Sequence, residues 1–205
     1  QKAINYTMTS LLTTGGIRGS QKRIQRFEPR SFNMGLSRKA FEATGGFGKI
    51  HPGEDPDLVI RLWEQGFDTA FIPTAFVFHK RRISWEKFRT QVSKFGQTRA
   101  ILNHWHPQTR KLTFWLPTCF TLGLCGALLL LVWGRIEPLL VYVCYFILIA
   151  WDSARENRSV KIGFLSVWAL LVQFFSYGWG FLKATLKIAF SKKPMEQLFP
   201  YLFFN

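Results

Sequence analysis

From Leu112 to Trp133 the chain runs for about 22 residues without one charged side chain. An α-helix of that length spans the roughly 30 Å of hydrocarbon in a bilayer. In lipid every backbone polar group must be satisfied within the segment, so a helix is the only form open to this run, and Pro117 and Gly123 are tolerated in it. A tight turn, Gly134-Arg135-Ile136-Glu137, leads into Pro138–Trp151, which is apolar but only about 14 residues long. Such a segment crosses only by tilting, by thinning the bilayer, or as half of a hairpin. A polar loop over Asp152–Lys161 is expected next. A third apolar stretch follows, Ile162–Phe181, interrupted by Gln173 and Gly178-Trp179-Gly180 and running into Lys183 and Lys187. Residues 112–190 therefore read as a region of two to three transmembrane helices, with 191–205 as a C-terminal tail.

The rest of the chain is cationic. Of the 205 residues, 1–111 carry 19 Lys/Arg against 8 Asp/Glu, a net +11, while 112–205 carry 8 against 4, a net +4. A basic surface beside a bilayer attracts anionic headgroups, and a basic cleft holds diphosphates. No nucleic-acid motif accompanies the charge, so no nucleic-acid partner is expected. Cys119, Cys125 and Cys144 all lie in apolar runs and have neither zinc spacing nor the even count of a disulfide framework. The positive-inside rule groups the basic front half with Arg155, Arg158 and Lys161, but three full crossings then leave Lys183, Lys187, Lys192 and Lys193 on the other side. The chain starts at Gln1, with neither an initiator Met nor a signal peptide, and reads as a fragment.

In the front half, Gly15-Gly16-Ile17-Arg18 and the cations Lys22, Arg23, Arg26 and Arg30 form a glycine-punctuated basic loop. Ser31–Leu36 reads as a short strand, Ser37 caps a helix through Thr44, and Gly45 supplies its left-handed stop. After the Gly45-Gly46-Phe47-Gly48 turn come three carboxylates within four positions, Glu54, Asp55 and Asp57. Crowded acids raise each other's pKa values and a helix N-terminus lowers them, the setting of a general base or of a metal–phosphate site. The plainer reading is that Asp55 is an N-cap with Pro56 at the first helical position. The helix runs from about Pro56 to Gln65 and Gly66 ends it. Thr69–Ile72 and Ala75–His79 read as strands, the second delivering His79-Lys80-Arg81-Arg82 at its end, either a metal and phosphate site or a solvated basic loop.

Ser84 caps a further helix whose Trp85, Phe88, Val92, Phe95 and Leu102 form one stripe, with Lys87, Arg89, Lys94 and Arg99 beside it. An aromatic stripe flanked by cations suits a helix lying in the membrane interface, and residues 84–111 are assigned to that helix and its linker. His104 and His106 are two apart, a spacing that does not converge on one ion, so they read as interfacial.

Taken together, Ser31-Phe32-Asn33-Met34-Gly35, Gly45-Gly46-Phe47, Gly53-Glu54-Asp55, Phe76-Val77-Phe78-His79-Lys80-Arg81-Arg82 and Gln91-Val92-Ser93-Lys94-Phe95 ahead of membrane spans resemble the C-terminal half of a membrane-anchored family 2 inverting glycosyltransferase of the GT-A type. The likeness covers most of residues 1–130, with an echo in Tyr177-Gly178-Trp179-Gly180-Phe181. It implies an α/β fold: a partial, Rossmann-like GT-A domain over 1–83, the interfacial helix, then the spans. It implies a nucleotide-diphosphate sugar as donor, a lipid-linked or glycan acceptor, and a divalent metal, Mg2+ or Mn2+.

Residue by residue, the resemblance makes Asp55 the catalytic base and Glu54 its neighbour on the acceptor. Gly45, Gly46, Phe47 and Asn33 fall on the acceptor side and His79 on the metal. Arg81, Arg82, Gln91 and Lys94 fall to the leaving diphosphate. Lys94 and Phe95 replace the Arg and Trp of the motif in processive synthases, which ranks a processive polysaccharide synthase lower. The nucleotide-binding strands and Asp-x-Asp motif of such enzymes lie upstream of this stretch, so the chain alone is expected to be inactive. The place implied is the inner membrane, with the catalytic part facing the cytoplasm. The competing class is a non-catalytic basic membrane adaptor.

Overall fold

The computed structural model describes residues 1–14, 27–77 and 84–204. Two short helices, α1 (Lys2–Thr9) and α2 (Leu11–Thr14), open the chain. In the front region α3 (Arg38–Thr44) begins on Ser37, whose side chain accepts from Ala40 N–H, and stops at Gly45 in the left-handed conformation. The helix that carries the acids, α4 (Glu54–Glu64), packs Leu58 and Leu62 against Ala40 of α3, with Met34, Leu36 and Phe67 around them.

The long helices follow: α5 (Trp85–Trp105), α6 (Leu116–Val132), α7 (Glu137–Asn157) and α8 (Val160–Ala189), with the short α9 (Met195–Leu198) near the end. Three segments are long and apolar enough to cross a membrane: Leu112–Val132, Glu137–Asn157 and Val160–Ala189. At 1.5 Å per residue α8 is about 45 Å long, and it is unbroken through Gly178 and Gly180. Everything else leans on it. Gly96 of α5 meets the backbone of Tyr177 and Phe181, Gly180 meets Ser93, Gly178 meets Pro117 and Thr118, and Gly163 meets Ala150. A Cβ at any of these glycines would strike the neighbouring helix, so small residues set the approach of the backbones, as in membrane bundles generally. Some polar groups inside the bundle are paired: Thr118 Oγ1 donates to Gly178 O at 3.1 Å, and the hydroxyls of Ser153 and Ser166 are 2.7 Å apart. Others are not, since Gln173 Oε1 on α8 and Thr98 Oγ1 on α5 are buried without a hydrogen-bond partner among the described residues.

The apolar stripe of α5 is covered by protein. Phe88 and Val92 bury against Ala169 and α1, and Leu102 is buried as well, while Trp85 and Trp105 at the two ends stay exposed. Beyond α8 the chain turns back. Met195, Leu198, Phe199 and Leu202 pack with Ile50, Ile101, Phe181 and Ala184, so the end of the chain, α5, α8 and the front region share one core.

The expected α/β, Rossmann-like architecture is overturned: among the described residues there is no strand or sheet, only one antiparallel bridge, Ile50–Phe203. Ser31–Asn33 forms a single 3-10 turn, and residues 69–77 are irregular. The reason is that a strand, unlike a helix, has no hydrogen bonds of its own and needs a paired neighbour. Two of the three candidate segments do approach, but Asn33 Nδ2 reaches Ala75 O at 3.2 Å, side chain to backbone, with no ladder, and Thr69 Oγ1 reaches Phe27 O at 2.6 Å, ahead of the first candidate strand. Apolar alternation signals a face to be buried, and here Ile72 and Phe76 remain 61% and 66% exposed.

The polar stretch 152–161 also departs from expectation. It is helical to Asn157, turns on Arg158 in the left-handed region, and restarts at Val160 with Ser159 as cap. Its polar side chains find partners on neighbouring helices, as in the 2.5 Å bond from Tyr6 OH to Asp152 Oδ2. The second segment therefore gains the length its apolar part lacked.

Candidate active site

The acids sit where α4 begins. Gly53 caps it at φ +127°, with Glu54, Asp55 and Asp57 in the first turn, two residues earlier than a cap at Asp55 would give. Only glycine occupies that backbone region readily. A side chain there would also run into Cγ2 of Thr98, so the acidic turn is pressed directly onto α5.

The three carboxylates then go three ways. Asp55 is half-buried, and Oδ1 accepts the backbone N–H of Ser31 at 3.1 Å. Burial pushes its pKa above the usual carboxylate value. Hydrogen bonds from Ser31 and the charge of Arg30 pull against that shift, and the Glu54 charge adds to it. Glu54 folds back on the turn, its Oε2 accepting from Gly53 N–H at 2.8 Å and lying 3.1 Å from His51 Nδ1.

Asp57 is buried. Its Oδ2 takes Nε and Nη2 of Arg61 at 3.0 and 2.8 Å, and its Oδ1 faces His106 Nε2 at 3.4 Å. A charge this buried persists only when paired, and here the partners also do structural work. Arg61 donates onward to the carbonyls of Thr44 and Gly46 at 2.6 and 2.8 Å, tying the Gly45-Gly46-Phe47 turn to α4. His106, at the end of α5, binds Glu64 through Nδ1 at 2.7 Å, and Gln108 reaches the same oxygen. One cation and one imidazole thus join the turn, the acid helix and the end of α5.

The remaining assigned residues scatter. Gly45 is the αL stop of α3, Gly46 is buried under the Arg61 clamp, and Phe47 stays 48% exposed beside them. Asn33 is engaged with Ala75 O. Gln91 and Lys94 line a cavity of about 400 Å³ together with His51 and Pro52, across from the acidic turn. His79, Arg81 and Arg82 lie outside the described residues, as does the basic loop over 15–26. Among the described residues no three His, Cys, Asp or Glu side chains converge to hold a metal.

Sequence reasoning missed Arg61 and misplaced His106. The first was within reach, because Asp57 and Arg61 are four apart on a helix, the spacing at which side chains meet. The second was not, because its two carboxylate partners are 49 and 42 residues away.

A family model described as glycosyl transferase family group 2 matches residues 31–153, more than half of the chain. The match runs from Ser31, the hydrogen-bond partner of Asp55, through the acidic turn and α5 to the end of the second membrane segment. Neither a curated protein nor a solved structure matches the chain. On the family match and the acids it encloses, the chain belongs to glycosyl transferase family group 2, whose members move a sugar from an activated donor to an acceptor.

Proposed function

We propose that this protein transfers a hexose from a nucleotide-diphosphate sugar to a hydroxyl of a lipid-linked or growing glycan acceptor, with inversion, and that Asp55 is the general base. The observation that carries the reading is the state of that one carboxylate. Asp55 is half-buried at the start of a helix, is anchored by Ser31, and has a pKa raised by burial, within the stretch that matches the family. A carboxylate with a raised pKa is a stronger base than a free one, which suits proton abstraction from a hydroxyl.

In the transfer, Asp55 takes the proton as the acceptor oxygen bonds to the anomeric carbon. The bond from that carbon to the diphosphate breaks, and its electron pair leaves with the diphosphate. Glu54 holds the turn and borders the acceptor, and Phe47 lies under its sugar. Arg81, Arg82 and Lys94 neutralise the leaving group and the Gln91 amide donates a hydrogen bond to it, while a divalent metal, Mg2+ or Mn2+, would be held by His79 and would supply further charge stabilisation there. The acidic turn packs at the end of the bundle where α5 and α8 finish, together with Lys183 and Lys187. In this reading that end faces the cytoplasm at the inner membrane, which puts those lysines on the side the charge rule favours. It is the opposite end of α8 from the Arg158 turn, with which the front half had been grouped.

The test is Asp55→Asn in the intact protein in membranes, assayed for transfer from a labelled nucleotide sugar. Transfer is expected to fall by about 10² to 10⁴. Undiminished transfer removes Asp55 as the base, and a wild type that binds membranes but transfers nothing supports the adaptor instead.

A further inference from the structure

The end of the chain lies outside the stretch that matches the family, yet it is built against the acidic turn. His51 N–H donates to Leu202 O at 2.7 Å, Phe204 N–H donates to Lys49 O at 2.8 Å, and Ile50 bridges to Phe203. The Phe204 ring lies 5.0 Å from the His51 imidazole, and Tyr201 OH bonds Gln97 of α5 at 2.5 Å. Lys187 Nζ fixes the same segment through Leu198 O at 2.6 Å. His51 is thereby held at its backbone, on its ring face, and at Nδ1 by Glu54. Its Nε2 has no partner among the described residues, although the side chain is half exposed. A surface histidine needs none of these restraints unless its remaining nitrogen has to be somewhere definite.

That nitrogen belongs to a residue lining the 400 Å³ cavity, whose other wall is one face of α5: Lys87, Thr90, Gln91 and Lys94, with Glu86 at the edge. Two ammonium groups, an amide and a hydroxyl opposite an imidazole make a donor-rich, net cationic cleft open to solvent, the chemistry that receives phosphate oxygens. We propose that His51 and Lys87 are further phosphate ligands in this cleft, beside the Gln91 and Lys94 that the reading above already gives to the diphosphate, and that the C-terminal segment 195–204 is the positioning element that holds His51 there. The proposal deepens the transferase reading and rests on it for the source of the phosphate, which is either the donor's diphosphate or a lipid-linked acceptor's phosphate.

The experiment titrates inorganic diphosphate into the intact protein in nanodiscs of neutral lipid. Each of His51→Ala and Lys87→Ala is expected to weaken binding about tenfold, the worth of one charge-assisted hydrogen bond. Glu86→Gln is expected to tighten it a few-fold, because a like charge leaves the rim. Phe204→Ala, which touches no ligand, is expected to weaken binding toward the His51→Ala value and to add little on top of it. Arg38→Ala, on an exposed helix far from the cleft, serves as the control that changes nothing. Competition by a nucleoside diphosphate assigns the cavity to the donor, and competition by polyprenyl phosphate in the nanodisc assigns it to the acceptor. Binding that His51→Ala and Lys87→Ala leave unchanged overturns the site. Binding lost in His51→Ala but untouched in Phe204→Ala overturns the role of the C-terminal segment. Asp55→Asn separates this result from the transferase reading, since it removes transfer while diphosphate affinity holds.

Discussion

The bundle of α5 to α8 and the front region around α4 are held together in opposite ways. In the bundle the backbones approach through glycines at 96, 163, 178 and 180, and the hydrogen bonds between helices are made by uncharged hydroxyls such as those of Thr118, Ser153 and Ser166. In the front region the geometry depends on one arginine, one histidine and two carboxylates whose bonds cross from turn to helix to membrane helix. Close packing is graded, because a small misfit costs a little. A buried charge network is closer to all or nothing, because losing one partner strands another. The half of the molecule that holds the acidic turn is therefore the half more easily disabled.

Removing Arg61 should break the front region hardest. Arg61→Ala leaves Asp57 buried without its cation and frees the Gly45–Gly46 turn, at a cost of about 3 kcal/mol. Thermal unfolding followed by hydrogen exchange should show that loss in α3 and α4 while α6 to α8 stay protected. Arg61→Lys keeps the charge but cannot reach the carboxylate and both carbonyls, so it should recover only part.

Gly53→Ala comes next. The residue would sit at φ +127° and strike Thr98, displacing the acidic turn from α5, and misplacement on that scale costs about a hundredfold in transfer rate. Adding Thr98→Ser removes the methyl in the way. A partial recovery in the double variant would show that contact with α5, besides backbone strain, sets the turn.

On the bundle side, Gly96→Ala forces a methyl onto the backbone of Tyr177 and should cost about 2 kcal/mol, read as a lower melting temperature in nanodiscs. Because α5 carries Thr98 and leads to His106, transfer should fall with it. Transfer unchanged by that substitution would mean the two regions are independent.

The smallest effect is the most specific. Ser31 lowers the Asp55 pKa and burial raises it, so Ser31→Ala should move the acid limb of the pH–rate profile to higher pH. The same raised pKa has a sign in stability. The folded state holds the Asp55 proton more tightly than the unfolded chain. That contribution is complete below the ordinary carboxylate pKa and is lost as pH rises through the raised value. Asp55→Asn should flatten this part of the pH–stability curve, as measured by melting temperature across the acid range.

The sequence alone determined the features that a short stretch can specify. The Ser37 and Ser84 caps, the Gly45 and Gly66 stops, the turn at residues 134–137 and the three apolar segments are each decided within a few residues, because a helix satisfies its own backbone. The acidic cluster and its glycine were also legible as the start of a helix, which Gly53 caps with Glu54, Asp55 and Asp57 in the first turn. Tertiary structure decided what those features are for. Whether alternating residues at 31–36 and 69–77 become strands depends on a neighbour that local sequence does not contain, and there the α/β expectation failed. Which of three adjacent carboxylates is buried in ion pairs, which caps a turn and which keeps its charge half in solvent was set by Arg61, His106, His51 and Ser31. Two of those partners come from other segments, Ser31 from 24 residues before Asp55 and His106 from 49 residues beyond Asp57. Electrostatics in a folded chain acts through space, and spacing along the chain carries little of it.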